Sequence, residues 1–196
     1  MRWYQPIECD NTVKKPLICE FDNLEKYGYE EYSFKVGKRI ENWRNDILMQ
    51  AKKKINNGNP DDALQNALML PIYSPRLIHA LNNAGIGGIQ YLPLQILKYD
   101  NELIPGFCIA NFLNFVEAFD FESSDYDRFP EDFPNPNVRG KITGIKRFVL
   151  KKEALCGLDI IRLKEYKLRF FVSKQFKDIF EGNKFTGYSF REVELL

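Results

Sequence analysis

Two segments of the chain repeat one local pattern, in which a serine cap, a short helix, a glycine turn and a strand follow in order. They align without a gap when Ser74 is placed on Ser173 and Gly88 on Gly187. Each segment has an apolar stripe at helical spacing, and the strand begins after the glycine. The matching apolar positions are Leu77, Ala80, Leu81, Ile86, Ile89 and Tyr91 in the first segment, and Phe176, Ile179, Phe180, Phe185, Tyr188 and Phe190 in the second.

A capped helix of this kind packs back on the strand into which it leads. Two such segments therefore favour duplicated helix–strand units within one core. The same order of cap, turn and strand also arises without duplication, so two independent segments remain the alternative. The whole chain, residues 1–196, predicts a single α+β domain with a mainly antiparallel sheet and short capped helices, because it is long enough for one sizeable core.

Further elements follow from periodicity and turn signals. Residues 38–55 carry apolar side chains at helical spacing and predict a helix, and Asn59-Pro60-Asp61-Asp62 predicts the capped start of another. Residues 120–138 predict a loop. Strands are predicted once or twice within 1–36, at 89–97 with Pro93 marking an edge or bulge, within 107–119, at 141–151 and at 158–172.

The overall charge indicates neither a nucleic-acid nor a membrane partner. The 28 basic and 27 acidic residues give a net charge of +1, so any charged partner must meet a local patch. The start of the chain has no apolar signal stretch, and no apolar run is long enough to span a bilayer. The cysteines are too far apart in the sequence to form a metal-binding pair, and we expect them to be reduced thiols. They are Cys9, Cys19, Cys108 and Cys156. These features predict a cytoplasmic location.

The sequence has few of the residues and motifs that enzymes commonly use for catalysis. The single histidine, His79, is predicted on the solvent face of its helix, and the glycines form neither a phosphate loop nor a nucleophile elbow. Asp125-Tyr126-Asp127 is a short acidic motif that a solvated loop explains better than a cation site. No cofactor and no metal are predicted, although pairs of carboxylates leave acid–base chemistry open.

The stretch 120–133 combines six acidic residues with four aromatic ones and a single base, Arg128. A binding loop uses aromatic side chains as anchors and carboxylates to steer a basic partner. The alternative is that Phe121, Tyr126, Phe129 and Phe133 pack back onto the body while the acids face water. Basic residues at 139–152 offer the acids internal partners. The predicted partner-binding residues are Asp120, Glu122, Asp125, Tyr126, Asp127, Phe129, Glu131 and Asp132.

Three groups of motifs, in this order, carry a resemblance to a known family. They are LPIYSPRL (70–77) leading to IQYLP (89–93), NFLNFVEAFD (111–120) followed by Ser123 and Ser124, and LDIIRL (158–163) running to FVS (171–173) and FTGYSF (185–190). The chain resembles the immunity proteins of bacterial polymorphic-toxin loci, in particular the family first catalogued from a myxobacterial protein of unknown function. The resemblance covers residues 70–196, and residues 1–70 match only in general character.

The resemblance implies a cytosolic, non-enzymatic protein that binds a cognate toxin domain, expected to be the product of a neighbouring gene, and neutralises it. It supplies no catalytic residues and no toxin-contacting positions, so the interface prediction rests on the acidic–aromatic stretch alone. Two other hypotheses remain: an enzyme of unrecognised type acting through carboxylates, and an adaptor module that forms homo-oligomers through its aromatic strands. The sequence fixes neither the toxin nor the oligomeric state.

Overall fold

The computed structural model describes residues 1–8, 19–21, 24–51 and 60–196. Within these ranges there are two α-helices, α1 (Pro75–Asn83) and α2 (Lys174–Gly182), and three short 3-10 helices, Glu25–Tyr27, Glu31–Lys35 and Lys152–Leu155. The strands are β1 (Trp3–Glu8), β2 (Cys19–Phe21), β3 (Leu48–Ala51), β4 (Ile72–Tyr73), β5 (Ile89–Pro93), β6 (Gln95–Leu97), β7 (Leu103–Ile104), β8 (Cys108–Phe112), β9 (Phe115–Val116), β10 (Asp125–Arg128), β11 (Ile142–Arg147), β12 (Val149–Leu150), β13 (Ile160–Leu163), β14 (Phe170–Ser173) and β15 (Tyr188–Leu195).

The described strands form four sheets, and their pairing is mixed. The largest sheet has the order β12-β15-β1-β14-β13-β9, and the others are β2-β3-β6-β7, β4-β8-β5 and the hairpin β10-β11. Three pairs are parallel, namely β3 with β6, β9 with β13 and β12 with β15. The α+β class agrees with the prediction, whereas the sheets are less uniformly antiparallel than expected.

The two repeated segments serve the same purpose in the fold. In the first, β4, α1 and β5 form a crossover unit in which β8 lies between the two strands and pairs antiparallel with both. In the second, β14, α2 and β15 form the same unit, and β1 takes the central place. The central strand comes from later in the chain in one unit and from its beginning in the other.

Matching serine caps start the two helices. The Ser74 hydroxyl accepts a hydrogen bond from the N–H of Leu77 at 3.2 Å and donates one to the Asp62 carboxylate at 2.6 Å. The Ser173 hydroxyl likewise accepts from the N–H of Phe176 at 3.3 Å and donates to Asp159 at 2.6 Å. Each cap satisfies a backbone donor that the first helical turn leaves unpaired, and the carboxylate fixes the cap's orientation.

The two helices lie side by side with opposite ends together. Arg76, in the first turn of α1, donates to the carbonyl of Lys184 beyond the end of α2, at 3.3 Å. Gln175, the equivalent residue of α2, donates to the carbonyl of Ala84 at the end of α1, at 3.1 Å. These reciprocal contacts relate the two units by an approximate two-fold axis.

A shared apolar core fills the space between the units. The helices bury the stripes that the sequence predicts, and Leu77, Leu81, Phe176 and Phe180 are at most 1% exposed. Each such side chain contributes about 1.5–3 kcal/mol through burial. Residues from both units belong to this one cluster, which includes Tyr4, Tyr73, Leu77, Leu81, Phe112, Ile160, Val172, Phe176 and Phe180.

The helix predicted from Asn59 and Pro60 does not form, and Asn59 itself lies outside the described residues. The backbone of this stretch pairs over long range instead. The N–H of Ala63 donates to Thr186 at 2.9 Å, that of Leu64 to Ile72 at 2.8 Å, and the carbonyl of Asp62 accepts from Ser74 at 2.8 Å. These bonds use the groups that a helix would need, so tertiary pairing overrides the local capping signal.

The helix predicted over 38–55 is also wrong. Ile47, Met49 and Ala51 are buried at every second position, and residues 48–51 form β3 between β2 and β6. Trp43 packs against Tyr29 with ring centroids 4.7 Å apart. The same apolar residues satisfy both periodicities over so short a run, and pairing with β6 decides between them. Residues 52–55 of the predicted helix are not among those described.

Four strand boundaries differ from the predictions. The stretch 141–151 divides into β11 and β12, which belong to different sheets. The stretch 89–97 divides into β5 and β6, which belong to different sheets, and β5 is an edge strand as Pro93 indicates. The stretch 158–172 contains β13 and β14, which pair antiparallel with each other. The predicted loop 120–138 contains β10. The stretch 107–119, where a strand was predicted, contains two short strands, β8 and β9.

Candidate functional site

The acidic–aromatic stretch forms the first half of a hairpin. Strands β10 and β11 pair antiparallel, with Asp125 opposite Arg147 and Asp127 opposite Gly144, and the register shifts twice along the pair. Bulges of this kind twist and bend a ribbon. The hairpin continues past β10, because the N–H of Phe129 donates to the carbonyl of Lys141 at 2.9 Å. The predicted binding residues thus lie on an ordered element.

Asp120 has a structural role in this arrangement. It is 8% exposed, and its side chain accepts a hydrogen bond from the N–H of Ser123 at 2.8 Å. That bond lowers the pKa of the Asp120 carboxyl below its usual value. The carbonyl of Asp120 also accepts from the N–H of Ser124 at 3.1 Å. Asp120 therefore closes the turn before β10 and offers little surface to a partner.

Two of the predicted anchors pack onto the body. Tyr126 is half-buried against Phe119, with ring centroids 5.5 Å apart, in the cluster between the largest sheet and the hairpin. Phe121 lies at 5.0 Å from the same ring and keeps 40% of its surface exposed. The Arg128 guanidinium stacks over Phe121 and Tyr126 at 5.1 and 5.0 Å. Tyr126 therefore packs back onto the body of the protein, and Phe121 does so only in part.

Asp125 and Asp127 already have a cationic partner. The Lys146 ammonium lies 3.2 Å from Asp127 and 3.9 Å from Asp125. All three side chains are exposed, so the pairs contribute only about 0–1 kcal/mol to stability. They nevertheless neutralise part of the negative charge on this face of the hairpin.

The tip of the hairpin keeps its negative charge uncompensated. Glu131 and Asp132, in the segment that joins β10 to β11, are exposed, and no cation among the described residues lies within 4 Å of their carboxylates. Phe129 and Phe133 stand beside them as a half-buried ring pair with centroids 4.7 Å apart. Glu122 is also exposed, but it precedes β10 and therefore lies at the base of the hairpin, away from this tip. The Arg139 guanidinium donates to the carbonyl of Phe133 at 2.7 Å and holds this turn in place. Two aromatic rings and two free carboxylates form this tip, which is the part of the stretch most accessible to a partner.

His79 is exposed on α1, as predicted, and its ring shares a 2.9 Å hydrogen bond with Asn83. In the part of the chain that the structure describes, no group of three or more histidine, cysteine or acidic residues is arranged to hold a metal ion. Cys19, Cys108 and Cys156 are free thiols, and Cys9 lies outside the described residues. Burial raises the pKa of the Cys19 thiol to about 12 and that of Cys108 to about 11.

Sequence reasoning missed a cleft behind the hairpin. It has a volume of about 490 Å³ and is lined by β11 on one side and by residues 191–194 of β15 on the other, together with Gln5, Tyr166 and Arg169. Arg169 and Arg191 are separated in the sequence, and only the sheet register brings them to one cleft. In the sequence, Arg169 lies within the strand predicted at 158–172 and Arg191 within the strand predicted after Gly187. No sequence motif links the two residues.

Comparison with known proteins identifies the class. Residues 5–195 match the model of an immunity protein family, Imm11, and the match includes residues 5–70, which the motif resemblance did not reach. A search among curated proteins finds no significant relative. Within the described residues, no helix has the length and apolar character needed to cross a bilayer.

The class is therefore that of immunity proteins, which protect cells against toxins. Because the match covers nearly the whole chain, the protein belongs to the Imm11 immunity protein family.

Proposed function

We propose that the protein binds a cognate toxin domain in the bacterial cytoplasm and blocks it without catalysis. Membership of the Imm11 family over residues 5–195 is the observation that carries this proposal. The toxin is expected to be the product of a neighbouring gene, since an immunity protein must be made together with the toxin against which it protects.

The hairpin tip is the first surface that we assign to the toxin. Glu131 and Asp132 have no cation within 4 Å among the described residues, and the Phe129–Phe133 ring pair lies next to them. Aromatic anchors surrounded by free carboxylates suit a basic partner, because the charges steer the encounter and the rings supply apolar contact. Asp125, Asp127 and Tyr126 would support this surface through their internal contacts.

Co-expression with the product of the adjacent upstream gene tests the proposal. We expect rescue of growth and co-purification of a stable complex. A neighbour that is harmless alone and forms no complex would contradict toxin binding, and a substrate screen would then address the enzyme hypothesis. A homo-oligomer that leaves the toxin active would favour the adaptor hypothesis.

Charge reversal tests the surface separately. The double variant Glu131→Lys and Asp132→Lys should weaken the complex by about tenfold or more, mainly through slower association. The matched control is Glu30→Lys and Glu41→Lys, which makes the same change of charge at exposed positions away from the hairpin. Equal effects of the two double variants on the dissociation constant would exclude a specific role for the tip.

A further inference from the structure

The cleft behind the hairpin exists because β11 and β15 diverge. The chain continues from β11 into β12, which pairs in parallel with β15 at only two positions, Val149 opposite Glu194 and Leu150 opposite Leu195. The Arg147 guanidinium closes this end with a 2.9 Å bond to Glu194 and a 2.6 Å bond to the carbonyl of Ser123. On the other side of this closure the strands separate and leave the opening of about 490 Å³.

Both strands present an open edge to the cleft. Among the described strands, β11 pairs only with β10, and β15 pairs along Tyr188–Val193 only with β1. The opposite edges therefore carry backbone N–H and C=O groups that no described strand uses. Such edges are templates for the addition of an extended segment from another chain.

The charge of the cleft indicates the chemistry of such a segment. Arg169 and Arg191 are both exposed and both line the cleft, and neither has a carboxylate of a described residue within 4 Å. Lys146 and Arg147, on the facing strand, are already paired with Asp127 and Glu194. Two free guanidinium groups therefore remain, and guanidinium is the side-chain group best matched to a carboxylate.

The cleft also has an apolar side. Phe148 and Tyr166 line it with ring centroids 6.1 Å apart, and the adjacent Val193 is 8% exposed. Arg191 and Val193 are two residues apart on β15, so a charged and an apolar position lie on the same face of this strand. An extended segment that carries both acidic and apolar residues can therefore place carboxylates at the arginines and apolar groups at the rings.

We infer that the cleft binds an extended, acidic segment of the toxin, which lies as a strand between β11 and β15. This inference rests on the proposed function and gives it a second contact of opposite charge to the hairpin tip. Cations on an edge strand also serve to prevent aggregation. If the arginines served only that purpose, toxin binding would not slow hydrogen exchange along the edge. Hydrogen exchange therefore distinguishes the two explanations.

The test uses the full chain and the toxin domain encoded by the neighbouring gene. Hydrogen exchange followed by mass spectrometry should show slower exchange over residues 144–148 and 188–193 in the complex. The double variant Arg169→Glu and Arg191→Glu should weaken the complex about tenfold or more. The control variant Arg39→Glu and Lys152→Glu, with the same charge change at exposed positions outside the cleft, should change the dissociation constant by less than about twofold.

Each other outcome overturns a defined part of the argument. A complex of undiminished affinity with the double variant, or unchanged exchange along both edges, refutes strand addition and leaves toxin binding intact. Protection of the same edges in the chain alone, together with a dimer in solution, assigns the cleft to a second copy and refutes the acidic toxin segment. Failure of the wild-type chain to bind the toxin refutes the proposed function itself, and this inference with it.

Discussion

Arg162 carries a charge into the apolar core between the two units. It is 1% exposed, its guanidinium lies over the Phe112 and Phe170 rings, and one nitrogen donates to the carbonyl of Lys167 at 2.8 Å. The other two nitrogens have no hydrogen-bond partner among the described residues. Burial accordingly lowers the pKa of Arg162 to about 10.

Replacing Arg162 with methionine should therefore cost little stability. The desolvation of an unpaired buried charge costs several kcal/mol, and Met fills a similar volume without it. We expect the free energy of unfolding of Arg162→Met to change by less than about 1 kcal/mol or to rise. Arg162→Ala, which leaves a cavity, should lose about 2–4 kcal/mol. Urea unfolding measures both, and equal losses would mean that the guanidinium contacts outweigh its desolvation.

Asp62 links the two units through its side chain. Its carboxylate accepts hydrogen bonds from Ser74 at 2.6 Å, from Arg76 at 2.6 and 2.9 Å, and from the N–H of Thr186 at 3.1 Å. Asp159, at the other cap, contacts Ser173 at 2.6 Å without a comparable arginine. We expect Asp62→Ala to lower the free energy of unfolding by about 3 kcal/mol and Asp159→Ala by about 1 kcal/mol. A loss at Asp159 as large as that at Asp62 would contradict this link.

The same contacts make the contribution of Asp62 depend on pH. Burial raises the pKa of the carboxyl, but the hydrogen bonds from Arg76, Ser74 and Thr186 outweigh it, so the folded-state pKa is lowered. The unfolded value is about 3.9. The stabilisation is therefore present above about pH 4 and is lost as the pH falls through the folded-state pKa. The difference in unfolding free energy between the wild type and Asp62→Asn should accordingly shrink from pH 5 to pH 2, and a constant difference would exclude this linkage.

At the scale of elements, two glycines in turns differ in the space around them. Gly187 has a φ of 106°, and a Cβ there would lie 2.1 Å from the carbonyl oxygen of Ala63. Gly85 has a φ of 73° and open space around it. We expect Gly187→Ala to lower the free energy of unfolding by more than about 3 kcal/mol and Gly85→Ala by about 1 kcal/mol. Equal losses in thermal or urea unfolding would mean that backbone conformation alone matters at Gly187.

The two helices could be predicted because caps, stripes and turns are local signals that the tertiary structure reinforces. Ser74 and Ser173 cap as expected, and both glycine turns lead into strands. The failures occur where long-range pairing decides. Residues 48–51 form a strand because β2 and β6 lie on either side, and Asp62 cannot begin a helix because its groups bind Ser74 and Thr186.

At the scale of the molecule, the candidate site too could be predicted from the sequence only in part. The composition of 120–133 directed attention to the hairpin, but only the structure distinguishes Asp120, which closes a turn, from Glu131 and Asp132, which face solvent. Arg169 and Arg191 could not be grouped from the sequence, because their proximity depends on the register of β1 with its two neighbours. Charge patterns in a sequence locate such surfaces only when a single loop carries them.

The two tryptophans allow a test of whether the chain unfolds as one unit. Trp3 is buried in the largest sheet, and Trp43 packs in the cluster around β3 and β6. The prediction of a single domain, in which residues 1–70 do not form a separate portion, requires both regions to unfold together.

The variants Trp3→Phe and Trp43→Phe each leave one tryptophan as a fluorescence reporter. In each variant, the urea midpoint from fluorescence should coincide with that from far-ultraviolet circular dichroism. If Trp43 instead reports an earlier midpoint than the dichroism of the same variant, the cluster around β3 and β6 unfolds independently of the largest sheet. The Asp62 contacts would then couple only the two repeated units, and not the whole chain.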